Sequence, residues 1–302
     1  MDSITRSHYE TQLELAFLKK RGEEFQSWFS SVMSKRYPAD FTPVIPWGSD
    51  GDRKNDGYLT SRRMIFQCSA PREMAAAKCV AKIEEDFAGA VQHWRPHFDT
   101  WVFVHNSRDG LPPHVLDKLL QLGKAHAPLE VKQWGFEELR QEVMALSERD
   151  LASLFGPAPS VKSLVDLGMQ DLAPVLDQIV RLPAITDPDL RPVPADKLSR
   201  NQLSDSVGTL LRAGMSRSDL VKHYFKLYPL LQDQLAESFR RRYHELLMQN
   251  QSPDDIFHHL QVFAGGERIG SPTRQSAVLA VLAFFFEECD IFLRPEPLVS
   301  VP

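Results

Sequence analysis

Gly51-Asp52-Arg53-Lys54-Asn55-Asp56-Gly57-Tyr58 is followed, six residues later, by Ile65-Phe66-Gln67-Cys68-Ser69-Ala70-Pro71. The first part is rich in turn formers, and the pattern then switches to apolar and aromatic residues of strand type. The stretch reads as a polar turn and two adjacent strands, Gly57 to Thr60 and Met64 to Ser69, joined as a hairpin through Ser61, Arg62 and Arg63. Asp56 stands at the start of one strand and Gln67 near the end of the next, 11 residues on. An acid facing a polar group from the neighbouring strand offers oxygen ligands to a hard divalent cation. Taken singly, each residue has a plainer reading. Asp before Gly is common in turns, and a strand glutamine can bond to backbone.

Outward from this stretch, residues His8 to Lys35 carry Leu13, Phe17, Phe25, Trp28, Phe29 and Val32 at helical spacing. This predicts one long helix, with Gly22 as its point of weakness and Glu23 and Glu24 beside the apolar stripe. A short strand, Thr42 to Ile45, precedes the loop Trp47 to Asp56. Three aspartates there suggest a calcium loop, but no glutamate stands at the twelfth position and the chain runs on into a strand. Pro71 is placed to open a helix reaching His93, with Val80, Ile83, Phe87 and Val91 buried. Thr100 to His105 predicts a central strand, His114 to Gly123 a helix, Leu129 to Gln133 a strand and Phe136 to Leu146 a helix. The result is a mixed α/β sheet with helices on both faces. Sites in such sheets gather at strand ends, where Asp56 and Gln67 fall.

Charge sharpens this reading. The net charge of -5 argues against a protein that coats nucleic acid generally. Locally, Arg53, Lys54, Arg62, Arg63, Arg72, Lys78 and Lys82 face only Asp56 and Glu73. That strip suits a phosphodiester backbone, and equally a solvated surface. Cys68, Cys79 and Cys289 have no metal-type spacing and fit a reducing cytosol, so a cytoplasmic location is expected. The N-terminus has no apolar signal core. Ala277 to Phe286 is too short to span a bilayer, so no membrane partner is expected. His105-Asn106 lacks the second histidine that an HNH nuclease needs.

After Pro157-Ala-Pro-Ser160 the composition turns helical. Predicted helices are Ser163 to Arg181, Asn201 to Ala213, Ser216 to Tyr228, Gln232 to Gln249, Pro253 to Phe263 and Pro272 to Phe292. Ser163, Ser216 and Ser252 are the expected caps, and the proline-rich run from Leu182 to Ala195 is an extended connector. This predicts an all-α bundle whose last helix is apolar nearly all round. Arg240-Arg241-Arg242 reads as a solvated or protein-contacting face.

The element order, with Gly51-Asp52-x-Lys54-Asn55-Asp56-Gly57-Tyr58 and Phe66-Gln67-x-x-Ala70-Pro71, resembles the restriction-endonuclease-like, or PD-(D/E)xK, nuclease domain of bacterial antiphage effectors. The resemblance runs from about Glu10 to Ala158, which divides the chain into a nuclease-like domain at 1–158 and a helical partner-binding or regulatory domain at 159–302. It implies a phosphodiesterase that cuts DNA with Mg2+ or Mn2+. Asp56 and Gln67 would be the metal ligands and Glu24 the helical acid. Ser69 stands where the family lysine belongs; Lys82, or else Lys78, on the following helix would replace it. The last 100 residues resemble the C-terminal helical domain of effectors in ABC-three-component defence systems. That implies partner defence proteins, an ABC-type ATPase among them. One site cuts one strand at a time, so a homodimer is compatible with the reading, though no residue specifies it. The alternative is a nuclease fold that has lost catalysis and holds DNA or proteins.

Overall fold

The structure, a computed structural model, describes residues 1–45, 53–71, 75–180, 197–265, 270–288 and 290–292. The predicted loop residues 47–52, the charges Arg72 and Glu73, the connector 182–195 and Cys289 lie outside them. The chain divides into two compact units, Gln12–Leu154, and Met1–Thr11 with Phe155–Pro302.

The predicted single helix is two, α1 (Ser3–Lys19), whose residues fall in both units, and α2 (Gly22–Arg36), in the first. Gly22 takes φ +50°, which a residue without Cβ adopts at little cost, and this ends one helix and starts the next. Strands β1 (Phe41–Pro43), β2 (Gly57–Leu59) and β3 (Met64–Ser69) form an antiparallel meander. A short 3-10 turn, Thr60–Arg62, makes the β2–β3 corner, with Arg63 left-handed after it. Helix α3 (Ala76–Trp94) crosses over to β4 (Thr100–His105), and α4 (Pro113–Ala125) crosses to β5 (Glu130–Trp134). Both crossovers make parallel pairs, so the sheet order is β1-β2-β3-β4-β5. Helices α5 (Phe136–Met144) and α6 (Glu148–Phe155) follow. Pro71 does not open α3, which starts at Ala76 from an Ala75 without a side-chain cap.

The pleat sorts the core. Phe66 points to one face, where its ring meets Phe29 of α2, Phe41 and Trp134. Ile65, Trp101 and Phe103 point to the other, against Cys79, Ile83 and Phe87 of α3 and Val115 and Leu119 of α4. Full burial of each such aliphatic or aromatic side chain contributes about 1.5–3 kcal/mol. Gly57 is required by close approach, since a Cβ there would lie 2.3 Å from the Phe41 ring.

The second unit adds α7 (Val161–Val165), α8 (Met169–Val180), α9 (Lys197–Arg200), α10 (Asp205–Met215), α11 (Ser218–Leu227), α12 (Pro229–Met248), α13 (Pro253–Gly265) and α14 (Pro272–Glu287). Every residue from Gln275 to Phe286 is buried, with α7, α8, α10, α11 and α13 packed around α14. Gly214 admits the close crossing of α10, because a Cβ there would lie 2.3 Å from the Leu279 carbonyl oxygen. The buried Lys197 ammonium donates to the Phe286 and Ile291 carbonyls at 2.6 and 2.7 Å, a cation at the C-terminal end of α14.

Two expected caps move. Ser160, not Ser163, accepts from the Ser163 N–H and caps α7, and Ser216 ends α10 while α11 starts without a side-chain cap. Ser252 does accept from the Asp255 N–H, at 3.2 Å. Of the three consecutive arginines, Arg240 pairs with Asp290 and Arg242 with Glu245 inside this unit. Among the described residues, no helix is long and apolar enough to cross a membrane.

Candidate metal and phosphate site at the sheet end

Asn55 builds the turn before β2 by accepting the Gly57 N–H on its side-chain oxygen, at 3.0 Å. This delivers Asp56 to the strand start, and its own N–H bonds to the Phe66 carbonyl at 2.8 Å. The β2–β3 ladder ends at the Gly57–Phe66 pair, with Asp56 the residue before it on one strand and Gln67 the residue after it on the other. Both residues are buried. The Asp56 carboxylate accepts from Gln26 Nε2 at 2.7 Å and from the Cys68 N–H at 2.6 Å. A carboxylate kept in the interior needs such donors. The Gln67 Oε1 atom is buried and has no hydrogen-bond partner. Buried amide oxygens are rarely left so, and an unfilled acceptor beside a carboxylate is a position for a cation or its water.

The neighbouring Cys68 thiol is held well above its ordinary pKa by burial first, then by the Asp56 charge and hydrogen bond, with Lys82 pulling the other way. Lys82 is exposed on α3. Its ammonium is 2.7 Å from Asp86, one helical turn on. Lys54 approaches the same carboxylate from the turn before β2, at 3.1 Å. Lys78 is exposed.

Glu24 is not brought to this site. It is exposed and pairs with Lys20 at 2.6 Å, and the α2 residue that reaches Asp56 is Gln26. The two flank the apolar stripe on opposite sides, and Met33, buried, widens the stripe toward Gln26. That methionine was the available signal. Sequence reading also missed the role of Asp86. It occupies a stripe position between Ile83 and Phe87, where an acid is unexpected, and is fully buried.

Next to the site, Ser69 pairs in register with His105. His105 is buried and accepts the Ser107 N–H on Nδ1, so Nε2 carries the proton donated to Gln133 Oε1 at 2.7 Å. Burial lowers its pKa, with the Gln133 bond and Glu138 opposing. Asn106 donates to the Lys20 carbonyl, and Arg108 pairs with Glu14. These groups fix the loop after β4.

Among the described residues, no group of three or more His, Cys, Asp or Glu side chains is arranged to hold a metal. The donor set for a cation is one carboxylate and one amide oxygen. This fits a hard ion such as Mg2+, which keeps most of its waters and takes few protein ligands, and does not fit a closed structural site.

Residues 170–293 match the family model of C-terminal domain 10 of the ABC-three component (ABC-3C) systems. No curated protein and no solved structure matches the chain. The helical segment is thus similar to a domain of multi-component systems.

Proposed function

We propose that the Gln12–Leu154 unit is a PD-(D/E)xK-type nuclease domain and that the chain is a metal-dependent DNA endonuclease effector of a bacterial antiphage system. The helical unit would be where partner proteins hold or release it. The observation that carries the reading is the buried, unpartnered Gln67 Oε1 on the strand end whose next residue, Cys68, binds the buried carboxylate of Asp56. The order helix, three-stranded meander, helix, parallel strand supports the fold assignment. The match of residues 170–293 supports the setting among partner components.

Asp56 and Gln67 would hold Mg2+ or Mn2+, which when bound acidifies a water and offsets charge on phosphate. The chain's own residues do the rest. Gln26 and the Cys68 N–H fix the carboxylate's orientation. The burial of Asp56 and Gln67 excludes bulk water from the donor atoms. Lys82 supplies a cation for the phosphate oxygens. Glutamine brings no charge, so metal affinity is low in the absence of substrate.

The degenerate-fold reading draws on two observations. Ser69 replaces the motif lysine, and Lys82 is engaged by Asp86. Cleavage of supercoiled plasmid in Mg2+ and Mn2+, with and without partner components, separates the two readings. Cutting that is lost in Asp56→Ala supports the nuclease; intact plasmid under all these conditions supports the degenerate module.

A further inference from the structure

Asp86 has no assigned part in this chemistry, yet it is fully buried and meets two ammonium groups from separate elements. Lys82 comes from its own helix. Lys54 comes from the turn before β2 and is fixed in three further ways. Its ammonium also reaches Glu85, at 2.7 Å. Its stem crosses α3 at Gly89, where a Cβ would lie 2.6 Å from Lys54 Cγ. The carbonyl before it, on Arg53, accepts from Trp94 Nε1 at 3.1 Å. Arg53 and Lys54 both take positive φ, at 51° and 61°. Non-glycine residues seldom adopt that backbone, and two in succession persist only where the surroundings impose them. A buried carboxylate is likewise costly to retain. The anchor is buried, but the two lysines keep 34% and 44% of their side-chain surface exposed. Lys54 stands two residues before Asp56 in the same turn.

We propose that Lys54 and Lys82 form a two-lysine cradle for a nucleic-acid phosphodiester, that Asp86 is the positioning residue that sets the pair, and that Glu85 is the counter-ion the phosphate displaces. The substrate class rests on the nuclease reading. The division of labour follows from exposure. The Glu85 pair is solvent-exposed, and such pairs are weak, so a phosphate exchanges with it at little cost. The Asp86 contacts are buried and persist through the exchange.

The test is fluorescence anisotropy of labelled duplex and single-stranded DNA with the full chain in EDTA, across a salt series. Lys54→Met and Lys82→Met are each expected to weaken binding about fivefold and to reduce the salt slope by about 1. Glu85→Gln is expected to tighten binding about threefold. Asp86→Asn adds net positive charge, so charge alone predicts tighter binding; positioning predicts weaker binding, restored in part by Asp86→Glu. Tighter or unchanged binding by a folded Asp86→Asn overturns the proposal. If thermal melts show that variant unfolded, the exposed positions decide. No slope change in Lys54→Met, or no gain in Glu85→Gln, overturns it, as does a wild type that binds neither DNA. A chain that follows the expected pattern but leaves plasmid intact in Mg2+ with its partners keeps the cradle and loses the nuclease reading.

Discussion

The two units bury different things. Around α14 the helical unit buries a large apolar cluster together with polar groups matched inside the fold: Lys197 bonds to the Phe286 and Ile291 carbonyls, Asn201 to the Lys197 carbonyl, Ser276 to Ser163 at 2.7 Å, and Asp290 pairs with Arg240. The sheet unit buries Asn55, Asp56, Gln67, Ser69, His105 and Asn106 in turns and strand ends, Thr100 at the start of β4 and Asp86 on α3. Apolar burial is what a stable scaffold requires, and it is non-directional. Buried polar groups cost free energy unless matched, and Gln67 Oε1 in the sheet unit is buried without a partner. Under the proposed function, the helical unit is a platform and the sheet unit the working part.

The largest expected effect falls on the platform. Phe285 is fully buried and its ring meets Phe225 and Phe239. Phe285→Ala should cost about 3–5 kcal/mol in urea denaturation of the helical unit, and a small loss would break the contrast between the two units. A second effect sharpens it, through a polar exception within the platform. His8 is buried with neither ring nitrogen bonded, and burial, then His258, lowers its pKa to about 4. In the unfolded chain it takes up a proton below its ordinary value of 6.5, whereas the folded state does not until about 4. Stability is therefore full above pH 6.5 and falls by about 1.4 kcal/mol per pH unit as pH drops toward 4. His8→Leu should remove that component of the slope in denaturation curves taken at several pH values. A smaller contrast lies within α2. Gln26→Ala, by loosening Asp56, should lower cleavage about tenfold, as supporting contacts of metal ligands do. Glu24→Ala should leave cleavage intact and change stability by less than about 0.5 kcal/mol, as exposed pairs do.

Much of the fold was legible because strands β3 and β4 are apolar runs bounded by turn residues. Met64–Ser69 and Thr100–His105 have the bounds the sequence reading assigned. The bundle was legible from helical periodicity, and its caps less so. Serines three apart at 160 and 163 are both good acceptors, and side-chain geometry alone chooses Ser160. The places of Asp56 before β2 and of Gln67 within β3 were readable because turn formers and an apolar run mark the two strands. Glu24 misled because an acid was sought where an amide, Gln26, does the contacting. The pairing of Lys54 with Asp86 escaped because it joins a turn to a helix about 30 residues away, which periodicity does not report.

The central claim is that Gln67 is kept polar for a cation rather than for the fold. Mn2+ titration followed by electron paramagnetic resonance, beside thermal melting, on wild type and Gln67→Leu tests it most directly. The account predicts that Gln67→Leu weakens Mn2+ binding about tenfold or more, as loss of a supporting ligand does, while raising the melting temperature, because a buried amide oxygen without a partner is removed. Unchanged Mn2+ binding together with a lower melting temperature would show that Gln67 serves the fold, and would contradict the account.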